Sequence, residues 1–335
     1  MWIGTLFALT AGLLWGLVFI GPLLLPDYPA AMLSFGRYLA FGIVALPIAW
    51  AGRRQLAALS RADWIEAGKL VLVGNLLYYL FLASAIQRAG APLVAMIIGT
   101  LPVVIAIASN IRDAKRDGRV PWRRLAPSLA LIAAGIGSIH HIEFMRVETA
   151  PGGDPQRYAL GAVLALGGVA CWTWYPLRNA DWMRAHADRD PRTWATAQGI
   201  ATLPLALSGY AGFLVVGRLS QGAWPAPLGA RPWAFVAMMF AMGLLASWVG
   251  TLCWNEASKR LPTTVAGQLI VFETLAALGY ALVLRGTVPP VLTAVGAGLL
   301  VAGVVSAVRM RGNSRVVDEP RTVGAAHGRE SDRSG

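Results

Sequence analysis

Charge is scarce in this sequence. Only 14% of its 335 residues are Asp, Glu, Lys or Arg, against about 25% in ordinary soluble domains. With 56% of the residues apolar, a soluble enzyme built on one or two ordinary cores is excluded, because too little polar surface remains to clothe them. Cysteine is rarer still. Cys171 and Cys253, the two present, lie far apart in apolar runs and exclude both a disulfide framework and a metal spacing. His140 and His141 precede Glu143, yet adjacent residues on a helix point about 100° apart, so no metal site is expected. A G-x-x-x-x-G-K-[ST] phosphate loop is missing, as are H-E-x-x-H and G-x-S-x-G. The chain is therefore expected to be no enzyme, to use no cofactor and not to be driven by ATP.

Long hydrophobic runs take the place of these features. A helix needs about 20 apolar residues to cross a bilayer, and ten such runs can be marked: 2–25, 30–51, 65–87, 91–111, 122–141, 158–177, 193–216, 233–255, 263–284 and 288–308. The first lacks a basic segment before it and is too long for a signal peptide, so it is expected to be retained. Residues 309–335 hold six Arg and four acids with few large apolar side chains, and read as a disordered basic tail. The expectation is an all-α polytopic membrane protein of ten helices.

The net charge of +12 then reports topology. With the N-terminus inside, 21 of the 29 Lys and Arg residues fall in inner segments and 6 in outer ones. That bias places both termini in the cytoplasm of a bacterial-type inner membrane. Cations spread over separate loops form no groove for nucleic acid, so none is expected as a partner.

The two halves of the chain resemble each other. A shift of 157 residues carries Trp15 to Trp172 and Leu46-Pro47 to Leu203-Pro204. A shift of 172 carries Ala85 to Ala257 and Arg88 to Arg260, and one of 168 carries Ala134-Gly135 to Ala302-Gly303. The organisation is thus a first repeat at 1–141, an outer linker at 142–157, a second repeat at 158–308 and the tail at 309–335. Five helices per copy is an odd number, so the second copy enters the membrane from the opposite side, as in secondary transporters that work by alternating access.

The run GLLWG at 12–16 resembles the drug/metabolite transporter superfamily, in particular its ten-helix EamA-type exporters, as do AIQRAGAPLVAMIIGTLP at 85–102 and ASKRLPTTVAGQLIVFET at 257–274. Glu273-Thr274 stands where a Glu-Pro pair is usual in that family. The aromatic third segment and the Trp-rich sixth look most like the bacterial aromatic amino-acid exporters. The resemblance implies a central cavity formed by segments one to four and six to nine, export of small amphipathic metabolites such as aromatic or other neutral amino acids, and five and ten at the periphery.

Candidate substrate-binding residues are polar or aromatic groups at membrane depth, which are costly against lipid. Asn75, Tyr78 and Tyr79 share one helix face, and Ser247, Thr251 and Trp254 occupy the corresponding face of segment eight. Trp15 and Trp172 sit mid-segment, where tryptophan is unusual. Pro22, Pro47, Pro102 and Pro204 are expected to interrupt their segments. Glu273 and Arg37 are deep charges. Three readings stand open for Glu273: a proton-coupling carboxylate, a ligand for a substrate ammonium, and one half of an ion pair with Arg37. An exporter of cationic drugs would use Glu273 and the tryptophans without needing Arg37, and a non-transporting scaffold or sensor would need neither. Nothing in the sequence specifies an oligomeric state.

Overall fold

The computed structural model describes residues 2–112, 121–148, 154–219, 227–261, 265–266, 269–286, 288 and 291–317. The described residues hold helices and no strand. In chain order these are α1 (Trp2–Leu24), α2 (Ala30–Ala51), α3 (Arg61–Ala89), α4 in two pieces (Ala91–Ile98 and Leu101–Arg112), α5 (Trp122–Glu148), α6 (Pro155–Ala185), α7 (Pro191–Leu219), α8 (Pro232–Arg260), α9 (Val271–Arg285) and α10 (Val291–Val317). Six of them, α1, α2, α3, α6, α7 and α8, are long and apolar enough to cross a membrane. The apolar stretches within α4, α5, α9 and α10 are shorter, 10–17 residues.

The sequence writes the starts of these helices explicitly. Ser60 Oγ accepts from Asp63 N while Asp63 Oδ2 accepts from Ser60 N, so each residue satisfies an otherwise orphaned donor at the start of α3. Asp154 accepts from Gln156 N and Arg157 N ahead of α6, and Asp190 accepts from Arg192 N ahead of α7. In both cases proline follows the aspartate, at the one helical position where its missing N–H costs nothing. Gly286, in the left-handed region at φ 60°, ends α9.

Three expectations are corrected. Pro47 and Pro204 do not interrupt α2 and α7, which run through them. The stretch 142–157 is not all linker, since α5 continues to Glu148 and α6 begins at Pro155. The segment read as a disordered tail is helical as far as Val317; residues 318–335 lie outside the described residues. A helix need not stop where its apolar run stops, because each added residue extends an existing hydrogen-bond ladder at low cost.

The packing has one governing pattern. Helix α1 packs on α8 and α9, while α6 packs on α3 and α4; α2 pairs with α7, and α5 with α10. Exchanging the two halves maps every one of these pairs onto another or onto itself. Glycines make the close approaches, as expected where helices associate by van der Waals contact. A Cβ on Gly42 would lie 2.7 Å from Leu203 Cδ1, and one on Gly199 would lie 2.6 Å from Ala45 Cβ. Gly4 meets Arg260 and Leu261, and Gly161, which the 157-residue shift brings onto it, meets Arg88 and Ala89.

Two π-helical stretches interrupt the ladder, at Val71–Leu77 within α3 and at Gly243–Val249 within α8. Their limits differ by 243 − 71 = 172 and 249 − 77 = 172 residues, the same shift found by matching side chains. Such stretches are rare and concentrate at functional sites. Each is gripped by an aromatic of the other half. A Cβ on Gly74 would lie 2.2 Å from Tyr175 Cδ2, and Trp15 Nε1 donates to Ala246 O within the second stretch while a Cβ on Gly250, the residue just after it, would lie 2.7 Å from that nitrogen. Because Tyr175 Cβ is itself only 2.7 Å from that point, the tyrosine cannot swing clear. Gly74→Ala is expected to cost about 1–3 kcal/mol through overpacking, read as a lower thermal unfolding midpoint of the purified protein, whereas Gly68→Ala, with nothing within 4 Å, does not lower it, since alanine is the better helix former.

Candidate functional site

The two π-helical stretches face one cavity between the halves. It is lined by Trp15, Arg37, Asn75, Tyr78, Trp172, Ser247, Thr251 and Glu273, all expected from the sequence, together with Val18, Tyr38, Tyr175 and Ala246, which were not. Trp15 donates through Nε1 to Ala246 O at 2.9 Å, a carbonyl of the π-helical stretch of α8. Its ring meets Trp172 edge-on at 4.6 Å between centroids and Trp254 at 5.3 Å. Trp172 in turn contacts Tyr78 at 5.3 Å and Tyr175 at 5.4 Å. The result is an aromatic wall from α1, α3 and α6.

Two predicted residues stand behind this wall. Tyr79 is fully buried, donates to Val18 O at 3.2 Å, and lies 4.6 Å from the Arg37 guanidinium carbon. Trp254 touches Trp15 and Trp172 without lining the cavity. Periodicity placed both on the correct helices, but a helix face about 100° wide takes in residues one layer back.

The charges are separated. Arg37 is 4% exposed and Glu273 1%. Glu273 Oε1 accepts from the Tyr78 hydroxyl at 3.3 Å, and Arg37 Nε donates to Ser247 Oγ at 3.1 Å. Arg37 and Glu273 line the same cavity without forming an ion pair. Glu273 Oε2, Arg37 Nη1, Trp172 Nε1 and Trp254 Nε1 are buried without a hydrogen-bond partner. Buried polar atoms left unsatisfied cost about 1–3 kcal/mol each, and Glu273, Arg37 and Trp172, which carry such atoms, line the cavity. In this state it is nearly shut. Space for the centre of a water-sized sphere is about 10 Å³, roughly one water's worth.

Described residues from distant parts of the chain meet at both ends of the bundle. At the end rich in Arg and Lys, Trp182 Nε1 donates to Asp63 Oδ1 at 2.8 Å, and its ring stacks on Trp194 at 3.5 Å and on His186 at 4.4 Å. Asn179 lies beside this stack and is fully buried. Its Oδ1 accepts from Trp194 Nε1 at 2.9 Å and Gln198 Nε2 at 3.2 Å, and its Nδ2 donates to Asn255 Oδ1 at 2.9 Å. Gln198 Oε1 accepts from the hydroxyl of Tyr175, which lines the cavity. A bonded path therefore runs from the cavity to this closure. Sequence reasoning missed it by reading 178–192 as a loop, although two asparagines at the ends of apolar runs were a usable signal. At the opposite end, Tyr28 stacks on Phe235 at 5.0 Å and accepts from Arg231 N at 2.7 Å, while Arg231 pairs with Asp27 at 2.8 Å.

A bundle of apolar helices around a charged and aromatic cavity defines the class, a polytopic membrane protein, and its relatives make it a transporter and not an enzyme. Residues 2–113 match the EamA-like transporter family. The chain is 51% identical over 308 residues to inner membrane protein YtfF of Escherichia coli (strain K12), covering 92% of this chain and 95% of that protein. It belongs to the EamA-like transporter family, within the drug/metabolite transporter superfamily that its motifs resemble. A protein of known crystal structure shares the fold, with a TM-score of 0.64, 19% identity, and coverage of 92% of this chain and 98% of that one.

Proposed function

We propose that this protein is a secondary transporter that exports small amphipathic solutes, in the first place aromatic or other neutral amino acids, by alternating access between two inverted five-helix repeats. One observation carries the reading: a single cavity between the halves presents an unpaired guanidinium nitrogen at Arg37, an unpaired carboxylate oxygen at Glu273, and tryptophan rings beside them. An amino acid supplies the complementary carboxylate and ammonium, and a planar side chain can stack on the wall. The exchange symmetry of the helix packing and the matched π-helical stretches support the repeat, in which ten segments cross the bilayer. The 21-to-6 division of cations supports cytoplasmic termini, and the printed name of the Escherichia coli relative supports the inner membrane.

A second reading, efflux of cationic metabolites, is favoured by Glu273 among aromatic rings. Purified protein in liposomes loaded with unlabelled phenylalanine separates the two. Saturable accumulation of labelled phenylalanine by counterflow supports amino-acid export. Counterflow of organic cations alone transfers the assignment to the second reading, and absence of both rejects transport through this cavity.

A further inference from the structure

The cavity holds a guanidinium that forms no ion pair among the described residues and keeps one nitrogen, Arg37 Nη1, without a hydrogen-bond partner. The Cζ of Arg37 lies 4.8 Å and 4.6 Å from the ring centres of Tyr38 and Tyr79, and its Nε is tied to Ser247. Rings and a hydroxyl offset part of the cost of burying a cation, but none supplies negative charge. Among the described residues Glu273 is the acid that lines the same cavity, and Tyr78 engages it from the far side while Arg37 Nη1 keeps no partner. Nor is the feature duplicated. The shift of 157 residues that carries Trp15 to Trp172 carries Arg37 to Trp194, which belongs to the closure at the basic end.

We propose that Arg37 is an anion subsite of the cavity, set in position by Ser247, and that it selects solutes bearing a carboxylate over their uncharged amides. The inference rests on the reading of this cavity as the transport site and deepens it by naming the group that is recognised. A carboxylate is planar and presents two acceptor oxygens that match one edge of a guanidinium. With Nε held and two tyrosine rings against the group, the Nη edge is what remains to offer. Ser247 is a positioning residue. It belongs to the π-helical stretch of α8, where the wide turn sets the register in which its hydroxyl meets Arg37. Relaxation of that stretch to an ordinary α-helix would rotate Ser247 away and leave the guanidinium unset, which ties the grip on the anion to the geometry of the helix.

The test is equilibrium binding to the purified full-length protein of four labelled compounds that share a phenyl ring: phenylalanine, 3-phenylpropanoate with no ammonium, its uncharged amide, and phenethylamine with no carboxylate. Expected are saturable binding of 3-phenylpropanoate and binding of its uncharged amide, 3-phenylpropanamide, at least about tenfold weaker, the worth of one charge-assisted hydrogen bond. Ser247→Ala should weaken the carboxylate about tenfold and leave the amine unchanged, and Ser247→Thr, which keeps the hydroxyl, should restore it. If 3-phenylpropanoate behaves in this way while phenylalanine is neither bound nor exchanged, the subsite stands and amino-acid export falls. The subsite is overturned if the amide binds as well as the acid, if Ser247→Ala weakens acid and amine alike, or if 3-phenylpropanoate does not bind. The comparison of acid with amide in the unaltered protein decides the matter even where the variants fold poorly.

Discussion

Glu273→Gln is expected to lower solute flux about 100-fold at equal amounts of folded protein. The side chain is 1% exposed and shares its cavity with the aromatic wall. Glutamine keeps its shape and can still accept from the Tyr78 hydroxyl. What disappears is the negative charge offered at Oε2, the atom left without a partner. Removing one member of a desolvated, hydrogen-bonded charge pair costs about 2–5 kcal/mol, which spans a fall of about 30-fold to several thousandfold. Flux measured in liposomes across a series of pH gradients also divides the roles open to the carboxylate. If Glu273 carries a coupling proton, the residual flux of the variant no longer responds to the gradient. If it ligates an ammonium only, the residual flux keeps the pH profile of the unaltered protein. Unchanged flux with an unchanged profile would remove Glu273 from the site altogether.

Asn179→Ala is expected to lower stability by about 2–4 kcal/mol. An interhelical hydrogen bond inside a membrane protein averages only about 0.6 kcal/mol, so replacing a typical polar residue is a mild change. Asn179 differs because one amide serves Trp194, Gln198 and Asn255 at once, all of them fully buried. Truncation strands two donors and one acceptor together, each at the cost of an unsatisfied buried group. The loss is read from the unfolding midpoint in denaturant, with Gln198→Leu as the comparison. That change removes fewer bonds, so it should cost less. A larger effect for Gln198→Leu would show that Asn179 is not the hub of this closure.

Much of the fold was legible because hydrophobic runs and caps are local properties. Ala30 and Ala51 bound α2 where the apolar run begins and ends, whereas α6 and α7 start at Pro155 and Pro191, ahead of the runs marked from 158 and 193, because Asp-Pro pairs open them. The site was legible for a different reason: polar and aromatic residues at membrane depth are expensive, so they cluster where solvent or ligand replaces lipid. Eight of the ten residues selected on that ground line one cavity. Tyr79 and Trp254 fell one layer back because sequence periodicity fixes a helix face, not a depth. Other features were out of reach. A π-helical turn differs from an α-turn by one inserted residue that no side-chain pattern announces, though the equal spacing of the two copies becomes plain once the ladder is seen. The separation of Arg37 from Glu273 depends on which neighbour each meets first, Ser247 and Tyr78, and that is set by packing between distant helices. Tyr38 and Tyr175 escaped notice because a tyrosine in an apolar segment reads equally well as filler.

The central claim is that solute binds between the halves, among Trp15, Trp172, Arg37 and Glu273. A structure of the full-length protein in a lipid nanodisc with saturating phenylalanine tests it most directly. The account predicts ligand density in this cavity, with the ring against the tryptophans, the carboxylate on the Nη edge of Arg37 and the ammonium toward Glu273. Density confined to another opening, such as the crevice between α2 and α7 lined by Gln55, Arg192 and Thr196, with the central cavity still closed, would contradict it.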